Sequence, residues 1–299
     1  MRLKKTAYKE SFECKRTVKG VFLLLPLLLA SACGEGPDTT APDPVIGVTV
    51  TIGDGFITLS WSASIEDDLS HYLLYQGTSS TSLSSTGENI TTNSKTLTDL
   101  TAGTTYYFYV TAVDEAGNEG TASSIVEARA TSVTYETTQG WNEFESASYD
   151  TAVAYFNNAL GLDSNHADAS SGLGWSKALL GFLSEAVTAL QTANSLGLTT
   201  QDANAGLAVV YRDLPNLESA ISHAGTVVGN EPSYSFSHRP SIDYKDMHLV
   251  MAQCYYRQGE ASFPDAQAQV DILDQNNGLD PDTPRSWAAR PTRRMQRLC

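Results

Sequence analysis

Four side chains of types that commonly bind metal ions cluster in the C-terminal half of this sequence. They are His238, Asp243, Asp246 and His248. Imidazole nitrogens and carboxylate oxygens are ordinary zinc ligands, so a metal-dependent hydrolase that uses residues 234–248 is one interpretation. Arg239 and Lys245 interrupt the cluster, however, and an exposed polar loop accounts for the same composition. We therefore expect no bound metal and no cofactor.

No other segment of the sequence carries a catalytic signature. The chain lacks the His-Glu-x-x-His motif, the phosphate-binding Gly-x-x-x-x-Gly-Lys-Ser/Thr loop and a Cys-x-x-Cys pair. Catalysis requires several groups that converge on one site, and no motif in the sequence predicts such convergence. We expect no catalytic residues, and a protein that is not an enzyme.

Two tryptophans, Trp141 and Trp175, lie 34 residues apart, and Phe144 follows the first of them by about one helical turn. Aromatic side chains supply much of the binding energy at protein interfaces, and a row of such rings can hold an extended peptide. The other interpretation is that both tryptophans simply pack between helices. The sequence leaves the choice open.

The insertion around the metal-ligand cluster also carries aromatic side chains. Tyr234, Phe236 and Tyr244 lie in the run SYSFSHRPSIDYKDMH. Long loops between regular elements are often functional. We therefore expect these three rings to be exposed and to contact a partner protein.

The elements that position these residues follow a period of 34 residues. Apolar residues recur at this spacing: Ala152, Ala186 and Ala220; Phe156 and Leu190; Ala159 and Ala193; Gly140 and Gly174. Such a period is typical of stacked helix pairs, in which Ala and Gly allow two backbones to approach closely. Residues 132–284 are therefore predicted to form an all-α helical repeat, with a fourth, less regular unit that begins at Leu249.

The pattern Ala152-x-x-x-Phe156-x-x-Ala159 resembles the second helix of a tetratricopeptide (TPR) repeat. This resemblance implies a groove lined by the first helix of each pair, with Trp141 and Trp175 facing it. It also places four carboxylates along the groove, those of Glu145, Asp168, Asp202 and Asp213. An acidic groove of this kind favours a basic or polar peptide as its ligand.

Residues 45–131 have the pattern of a small β-sandwich. Phe56–Trp61 alternates apolar and polar side chains, and Gly- and Asn-containing turns separate such segments. Trp61 and the run Leu100–Tyr106 resemble a fibronectin type III domain, which implies that Tyr106 hydrogen-bonds back to the preceding turn and that the domain is a spacer. The predicted fold is thus multidomain, with an all-β immunoglobulin-like sandwich followed by all-α TPR-like repeats.

The N-terminus has the features of an export signal. A basic segment precedes Gly20–Ala32, an uncharged run too short to cross a bilayer as a helix. The small residues before Cys33 resemble the bacterial lipobox, which implies that residues 1–32 are removed and that Cys33 is acylated. Ordinary cleavage at the same place, leaving a free thiol, is the alternative. Residues 33–44, rich in Pro, Asp and Thr, are predicted to be a linker.

The charge of the chain argues against one class of partner. Between residues 33 and 284, seven Lys and Arg stand against 32 Asp and Glu, so phosphate backbones are repelled and we expect no nucleic-acid partner. Anionic lipid headgroups are repelled for the same reason, which leaves the lipid as the means of membrane attachment. Residues 285–299 are Arg-rich instead, and are either a basic interaction tail or not the natural C-terminus.

Together these features predict an exported lipoprotein at the cell membrane or outer membrane, facing the periplasm or the cell surface. Gly34, directly after the acylated cysteine, favours the outer membrane by the sorting rule of the lipobox resemblance. The helical repeat would bind an unidentified protein or peptide, as a non-catalytic adaptor. A glycan-binding accessory lipoprotein is the first alternative, because sandwiches and aromatic rows also hold sugars. The metal-dependent hydrolase is the second.

Overall fold

The computed structural model describes residues 37–197 and 200–275. In these ranges, strands between Thr49 and Arg129 are followed by α-helices between Val133 and Gln275. This order confirms the fold class, a sandwich followed by a helical repeat. No helix within the described ranges is both long enough and apolar enough to cross a bilayer. The predicted lipidation site Cys33 and the basic residues 285–299 lie outside the described residues.

The sandwich consists of two antiparallel sheets. Its strands are β1 (Thr49–Gly53), β2 (Phe56–Ser60), β3 (Leu69–Ser79), β4 (Ser82–Ser85), β5 (Ser94–Leu97), β6 (Thr105–Asp114) and β7 (Val126–Arg129). One sheet has the order β1-β2-β5 and the other has the order β4-β3-β6-β7. The turn between β1 and β2 contains Gly55, whose φ of 77° favours a residue without a Cβ.

Alternate residues of these strands form the sandwich core. Trp61 meets the ring of Tyr72 edge-on, with 5.4 Å between the ring centroids, and both side chains are buried. The phenol oxygen of Tyr106 accepts a hydrogen bond from the backbone N–H of Thr101 at 3.1 Å. The hydrogen bond predicted for Tyr106 is therefore confirmed, and it fixes the loop that leads into β6.

The helices form four consecutive pairs. They are α1 (Val133–Glu145), α2 (Tyr149–Leu162), α3 (Ala167–Leu179), α4 (Leu183–Ser195), α5 (Asp202–Asp213), α6 (Leu217–Asn230), α7 (Tyr244–Gln258) and α8 (Phe263–Gln275). Each helix packs against the next one, and the first helices of the pairs, α1, α3, α5 and α7, also contact one another in series. These first helices therefore form a continuous face. The part of it formed by α1, α3 and α5 is called the groove below.

Residues one period apart make equivalent contacts in successive repeats. In the first repeat, a Cβ at Gly140 would lie 2.6 Å from the ring of Phe156. In the second, a Cβ at Gly174 would lie 2.5 Å from the leucine that replaces this phenylalanine. In the third, the first-helix residue is Ala208 and its second-helix counterpart is Ala224, both fully buried. The first-helix residue is thus glycine where its second-helix counterpart is large and alanine where that counterpart is small, as close packing requires.

Two helical glycines are expected to respond to alanine substitution with opposite signs. Gly161→Ala should raise the free energy of unfolding by about 0.5–1 kcal/mol, because nothing lies within 4 Å of its Cβ position. Gly172→Ala should lower it by about 1–3 kcal/mol, because its Cβ would lie 2.2 Å from the ring of Phe156. Urea unfolding of both variants measures the difference. Stabilisation by both substitutions would contradict the packing described here.

The sandwich and the first helix are joined directly through buried polar contacts. The backbone N–H of Val133, at the start of α1, donates a hydrogen bond to the carboxylate of Asp54 at 2.8 Å. Glu136, 1% exposed, pairs with the guanidinium of Arg129 at 3.3 Å and accepts a hydrogen bond from the side-chain amide of Asn158. These contacts use the first orphan N–H group of α1 and connect the last strand to the first helix pair.

Candidate partner-binding groove

The aromatic residues predicted to line the groove are brought together by the first two repeats. Trp141 and Phe144 on α1 meet edge-on with 5.4 Å between centroids, and Trp175 occupies the equivalent place on α3. All three side chains are nevertheless buried, at 5%, 2% and 1% exposure. Because side chains on this face of the repeat would otherwise be exposed to solvent, another part of the structure must cover the three rings.

The cover is a segment of the same chain. Residues 231–243 connect α6 to α7 and are called the covering segment below. The ring of Phe236 stacks on Trp175 with 4.7 Å between centroids, and lies 5.9 Å from the rings of both Trp141 and Phe144. Its side chain is fully buried, so this one ring fills the pocket that the three groove aromatics form.

The expectation that the insertion exposes its aromatic rings is wrong for two of the three. Tyr234 is 1% exposed and Phe236 is fully buried. The physical reason is that transfer of an aromatic ring out of water is favourable, and the side chains of the groove form an aromatic surface against which these rings pack. Tyr244 is half-buried at the first turn of α7, where its ring meets His248 edge-on, and it does not join the cluster around Trp175.

Two polar contacts and one ring stacking fix the covering segment along the groove. The Tyr234 hydroxyl donates a hydrogen bond to the carboxylate of Asp202 at 2.9 Å. The imidazole of His238 lies parallel to the ring of Trp141, with 3.8 Å between centroids, and its Nδ1 is 2.9 Å from Oε1 of Glu145. The segment therefore reaches from the start of α5 to the end of α1.

Burial shifts the proton affinities of the Tyr234–Asp202 pair. It raises the pKa of the Asp202 carboxyl, while hydrogen bonds from Thr200 and Tyr234 offset part of that rise. Burial, together with the neighbouring carboxylate of Asp202, also raises the pKa of the Tyr234 hydroxyl. The hydroxyl consequently stays protonated over the ordinary pH range, and the pair keeps its donor on the tyrosine.

The covering segment lies in the groove as a compact series of turns, with one isolated bridge between Ser235 and Asp243. The side chains of Tyr234 and Phe236 are buried and that of His238 is partly buried, while the intervening Ser235 and Ser237 are exposed. The chain then turns back, so that the Phe236 N–H donates to the Ile242 carbonyl and the Tyr244 N–H donates to the Tyr234 carbonyl, at 2.9 and 2.8 Å. The segment thus supplies its own backbone hydrogen-bond partners.

Three of the four carboxylates predicted for the groove do lie there. Asp202 and Glu145 contact the covering segment, and Asp168 accepts a hydrogen bond from the indole N–H of Trp141 at 3.1 Å. The fourth, Asp213, instead pairs with Arg212 on its own helix. The acidic side chains of the groove are thus used either to hold the covering segment or to orient a tryptophan.

The four ligand-type side chains of the insertion serve separate purposes. Asp243 and Asp246 form a capping box at the start of α7, His248 pairs with the side chain of Gln269 at 2.8 Å, and His238 contacts Trp141. Within residues 37–197 and 200–275, none of the four belongs to a group of three or more ligand atoms within 4.8 Å of one another. The four side chains therefore do not converge on one point at residues 234–248.

Two contributors to this site were missed at the sequence level. Ile242 is 1% exposed and anchors the returning part of the covering segment, and Arg239 reaches the hydroxyl of Tyr149 at 3.5 Å. A signal was present, because the run Tyr234-Ser-Phe236-Ser-His238 alternates large and small side chains, as a half-buried strand does.

Comparison with known proteins identifies the sandwich. Residues 41–129 match the fibronectin type III domain family. An amylopullulanase of Thermoanaerobacter thermohydrosulfuricus is 37% identical over 94 residues, which cover 31% of this chain and 6% of that protein. Exoglucanase B of Cellulomonas fimi is 40% identical over 107 residues, which cover 34% of this chain and 9% of that protein. The chain therefore spans less than a tenth of the length of these two relatives.

Solved structures are similar to each half of the chain separately. A Fn3-like protein from Clostridium thermocellum is 26% identical and covers 30% of this chain and 95% of its own, with a TM-score of 0.28. YrrB, described as a TPR protein with an unusual peptide-binding site, is 17% identical and covers 49% of this chain and 69% of its own, with a TM-score of 0.42. The MamA protein is 18% identical, with coverage of 49% and 73% and a TM-score of 0.41.

Proposed function

We propose that this protein is an exported, lipid-anchored adaptor that binds a segment of another protein in the groove. The fibronectin type III domain acts as a spacer between the anchor and the helical repeat, and the protein catalyses no reaction. The observation that carries the proposal is the occupation of the groove by a stretch of polypeptide, the covering segment, which is held by aromatic rings and carboxylates.

The groove has the features of a peptide-binding surface. The rings of Trp141, Phe144 and Trp175 form a pocket of the size of one phenylalanine side chain, as the position of Phe236 demonstrates. Desolvated aromatic pockets of this kind provide the largest contributions at protein interfaces. Glu145, at 51% side-chain exposure, adds an accessible negative charge at one end, which supports selection of a basic segment.

The relatives support a spacer role for the sandwich. The proteins named amylopullulanase and exoglucanase match this chain over about a third of its length, and the matched part is a small fraction of each relative. The same small module recurs in differently named proteins, as a connecting or accessory domain does. In this chain the sandwich contacts the start of α1 directly, through Asp54 and Arg129, and so carries the repeat.

The anchor is tested by replacing the predicted acylated cysteine. Cys33→Ser should move the protein from the membrane fraction to the soluble fraction when the chain is expressed in a Gram-negative host, because the variant lacks the thiol that would carry the lipid, and the acyl chains are what would hold the protein at the membrane. Cys299→Ser is the matched control and should stay with the membrane. Fractionation followed by immunoblotting gives the distribution, and retention of the Cys33→Ser variant in the membrane would remove the lipid anchor from the proposal.

The partner site is tested by photo-crosslinking in the cell envelope. A photoreactive amino acid at Tyr149, beside the covering segment, should give a discrete adduct with a partner protein. The same amino acid at Ser184, an exposed position on α4, is the control and should give none. Adducts from both positions, or from neither, would count against binding in the groove.

A glycan-binding accessory role is the second candidate, favoured by the similarity of the sandwich to parts of the amylopullulanase and exoglucanase relatives. Sugar rings stack on open aromatic faces. The tryptophans do not offer such faces, because His238 covers Trp141 and Phe236 covers Trp175. Co-sedimentation of the full chain with starch and with cellulose decides the matter, since retention by either polysaccharide would favour this role.

A further inference from the structure

We propose that the covering segment, residues 231–243, is a removable internal ligand, and that the partner displaces it with a segment of similar chemistry. That segment presents an aromatic ring to the pocket of Trp141, Phe144 and Trp175. Two residues later it presents an imidazole or a basic side chain to Glu145. This inference rests on the proposed function and adds both the chemical class of the ligand and a means of regulating access to the groove.

The chemistry of the ligand follows from the positions that the covering segment occupies. Phe236 fills the aromatic pocket, and His238, two residues later, lies between Trp141 and Glu145. Tyr234, two residues earlier, donates its hydroxyl proton to Asp202. The groove therefore recognises an aromatic–x–aromatic–x–basic pattern in a chain that turns at its basic residue, as it does here through the hydrogen bond from the Arg239 N–H to the Phe236 carbonyl.

Charge complementarity points to the same kind of ligand. Residues 33–284 contain only seven Lys and Arg, and one of these few cations, Arg239, lies in the covering segment against Tyr149. Its neighbour His238 pairs with Glu145. A partner segment that carries Arg or Lys at these places would gain the same attraction and would be drawn towards a strongly acidic protein.

The covering segment is constructed so that it can leave without unfolding the repeat. The backbone hydrogen bonds of residues 234–242 are made within residues 231–244, to the carbonyls of Glu231, Phe236, Arg239 and Ile242. Departure of the segment therefore leaves no backbone N–H group of the groove helices without a hydrogen-bond partner, and only side-chain contacts are lost. Since both ends of the segment are tethered, it also remains close enough to return.

The covering segment is held most firmly near its two ends and least firmly at its middle, residues 237–240, which are called the tip below. Tyr234 and Ile242, near the two ends, are each 1% exposed. At the tip His238 keeps 26% of its side chain exposed, and Ser237 and Pro240 are exposed. A competing segment can therefore engage Glu145 first and displace Phe236 afterwards, which is the order in which the more exposed contacts give way.

Occupation by an internal ligand lowers the apparent affinity for any external one. The observed dissociation constant equals the intrinsic constant divided by the fraction of molecules whose groove is open. Weakening the covering segment raises that fraction and so tightens external binding, without any change in the groove itself. An increase in affinity for the external ligand therefore distinguishes an internal ligand from a segment that is a permanent part of the groove.

The test uses a fluorescent synthetic peptide with the sequence of residues 231–243 and the purified full chain. We expect Phe236→Ala in the chain to tighten binding of this peptide at least tenfold relative to the unmodified chain, measured by fluorescence anisotropy. Ser237→Ala in the chain changes an exposed side chain of the same segment and should bind as the unmodified chain does. A peptide that itself carries Phe236→Ala should bind to none of them.

A second variant guards against a folding defect in the first. His238→Ala combined with Arg239→Ala weakens the tip and leaves the buried Phe236 in place, and circular dichroism verifies the helical content of each chain. We expect this double variant also to bind the peptide more tightly than the unmodified chain. If the peptide binds all chains equally, or binds none, the covering segment is not an internal ligand, even if a crosslinker at Tyr149 captures a partner protein. If the weakened chains bind the peptide more tightly but no partner is captured at Tyr149, the covering segment is an internal ligand and the proposed adaptor function is wrong.

Discussion

Replacement of Trp175 by alanine is expected to lower the free energy of unfolding by about 3–5 kcal/mol, the usual cost of removing a large buried aromatic side chain. The indole is 1% exposed, stacks on Phe236 and donates its N–H to the backbone carbonyl of Asp202 at 3.0 Å. The loss leaves a cavity on α3 and removes the surface on which the covering segment rests. We therefore expect the substitution both to destabilise the repeat and to release the segment.

The matched control for this variant is Phe182→Ala. Phe182 follows α3 directly before α4 and is 53% exposed, so its removal should change the free energy of unfolding by less than about 0.5 kcal/mol. Guanidinium unfolding followed by helical circular dichroism compares the two variants with the unmodified chain. A Trp175→Ala variant as stable as the Phe182→Ala variant would show that the groove aromatics contribute nothing to the fold.

Phe156→Ala is expected to lower the free energy of unfolding by about 3–5 kcal/mol as well, for a different reason. This fully buried ring lies where two first helices come closest to α2, against the Cα positions of Gly140 and Gly172. It also meets Trp141 edge-on with 5.0 Å between centroids. Its loss would therefore loosen the first two repeats together.

A double-mutant cycle makes the second prediction specific. Gly172→Ala alone should destabilise the protein, because the new methyl group clashes with the Phe156 ring. In the Phe156→Ala background the same methyl group enters the vacated space, so Gly172→Ala should become neutral or stabilising. The expected coupling is on the order of 1–3 kcal/mol. Additive effects in this cycle would mean that the two residues do not touch.

The repeat and the sandwich could both be predicted from the sequence, because each has a local pattern that repeats. The 34-residue spacing of small residues predicts stacked helix pairs, and Gly140 and Gly174 do lie against large side chains one helix away. Alternation in Phe56–Trp61 predicts a half-buried strand, which the structure confirms as β2. Short edge strands such as β4, with only Ser and Leu over Ser82–Ser85, carry no such pattern and were missed.

The occupation of the groove could not be predicted, because it depends on contacts between distant parts of the chain. Phe236 and Trp141 lie 95 positions apart in the sequence, and no local pattern states that a loop will fold back over an earlier repeat. For the same reason, the sequence does not decide whether the tryptophans face the groove or pack in the interior. In the structure Trp141 and Trp175 face the groove and are also buried, because the covering segment lies over them.

The metal-ligand cluster shows the opposite limitation. Four ligand-type residues within a short stretch of sequence indicate a metal site only if their side chains converge, and backbone geometry decides that. Here Asp243 and Asp246 satisfy the free N–H groups at the start of α7, which is the ordinary use of aspartate at a helix N-terminus. A sequence that places Asp three residues before a second Asp at the start of a helix is as much a capping signal as a metal signal.

The most direct measurement is native-state amide hydrogen exchange of the covering segment. The hydrogen bonds of the Phe236 and Ile242 amides lie within the segment, and we expect them to break once the released loop no longer packs on the groove. We therefore predict that these amides exchange through a local opening, at a lower free energy than the amides of α3. We also predict that Phe236→Ala speeds their exchange while leaving that of α3 close to its original rate. Exchange of these two amides only together with the α3 amides, by global unfolding, would contradict the account, because the segment would then be a permanent part of the core rather than a ligand that can leave.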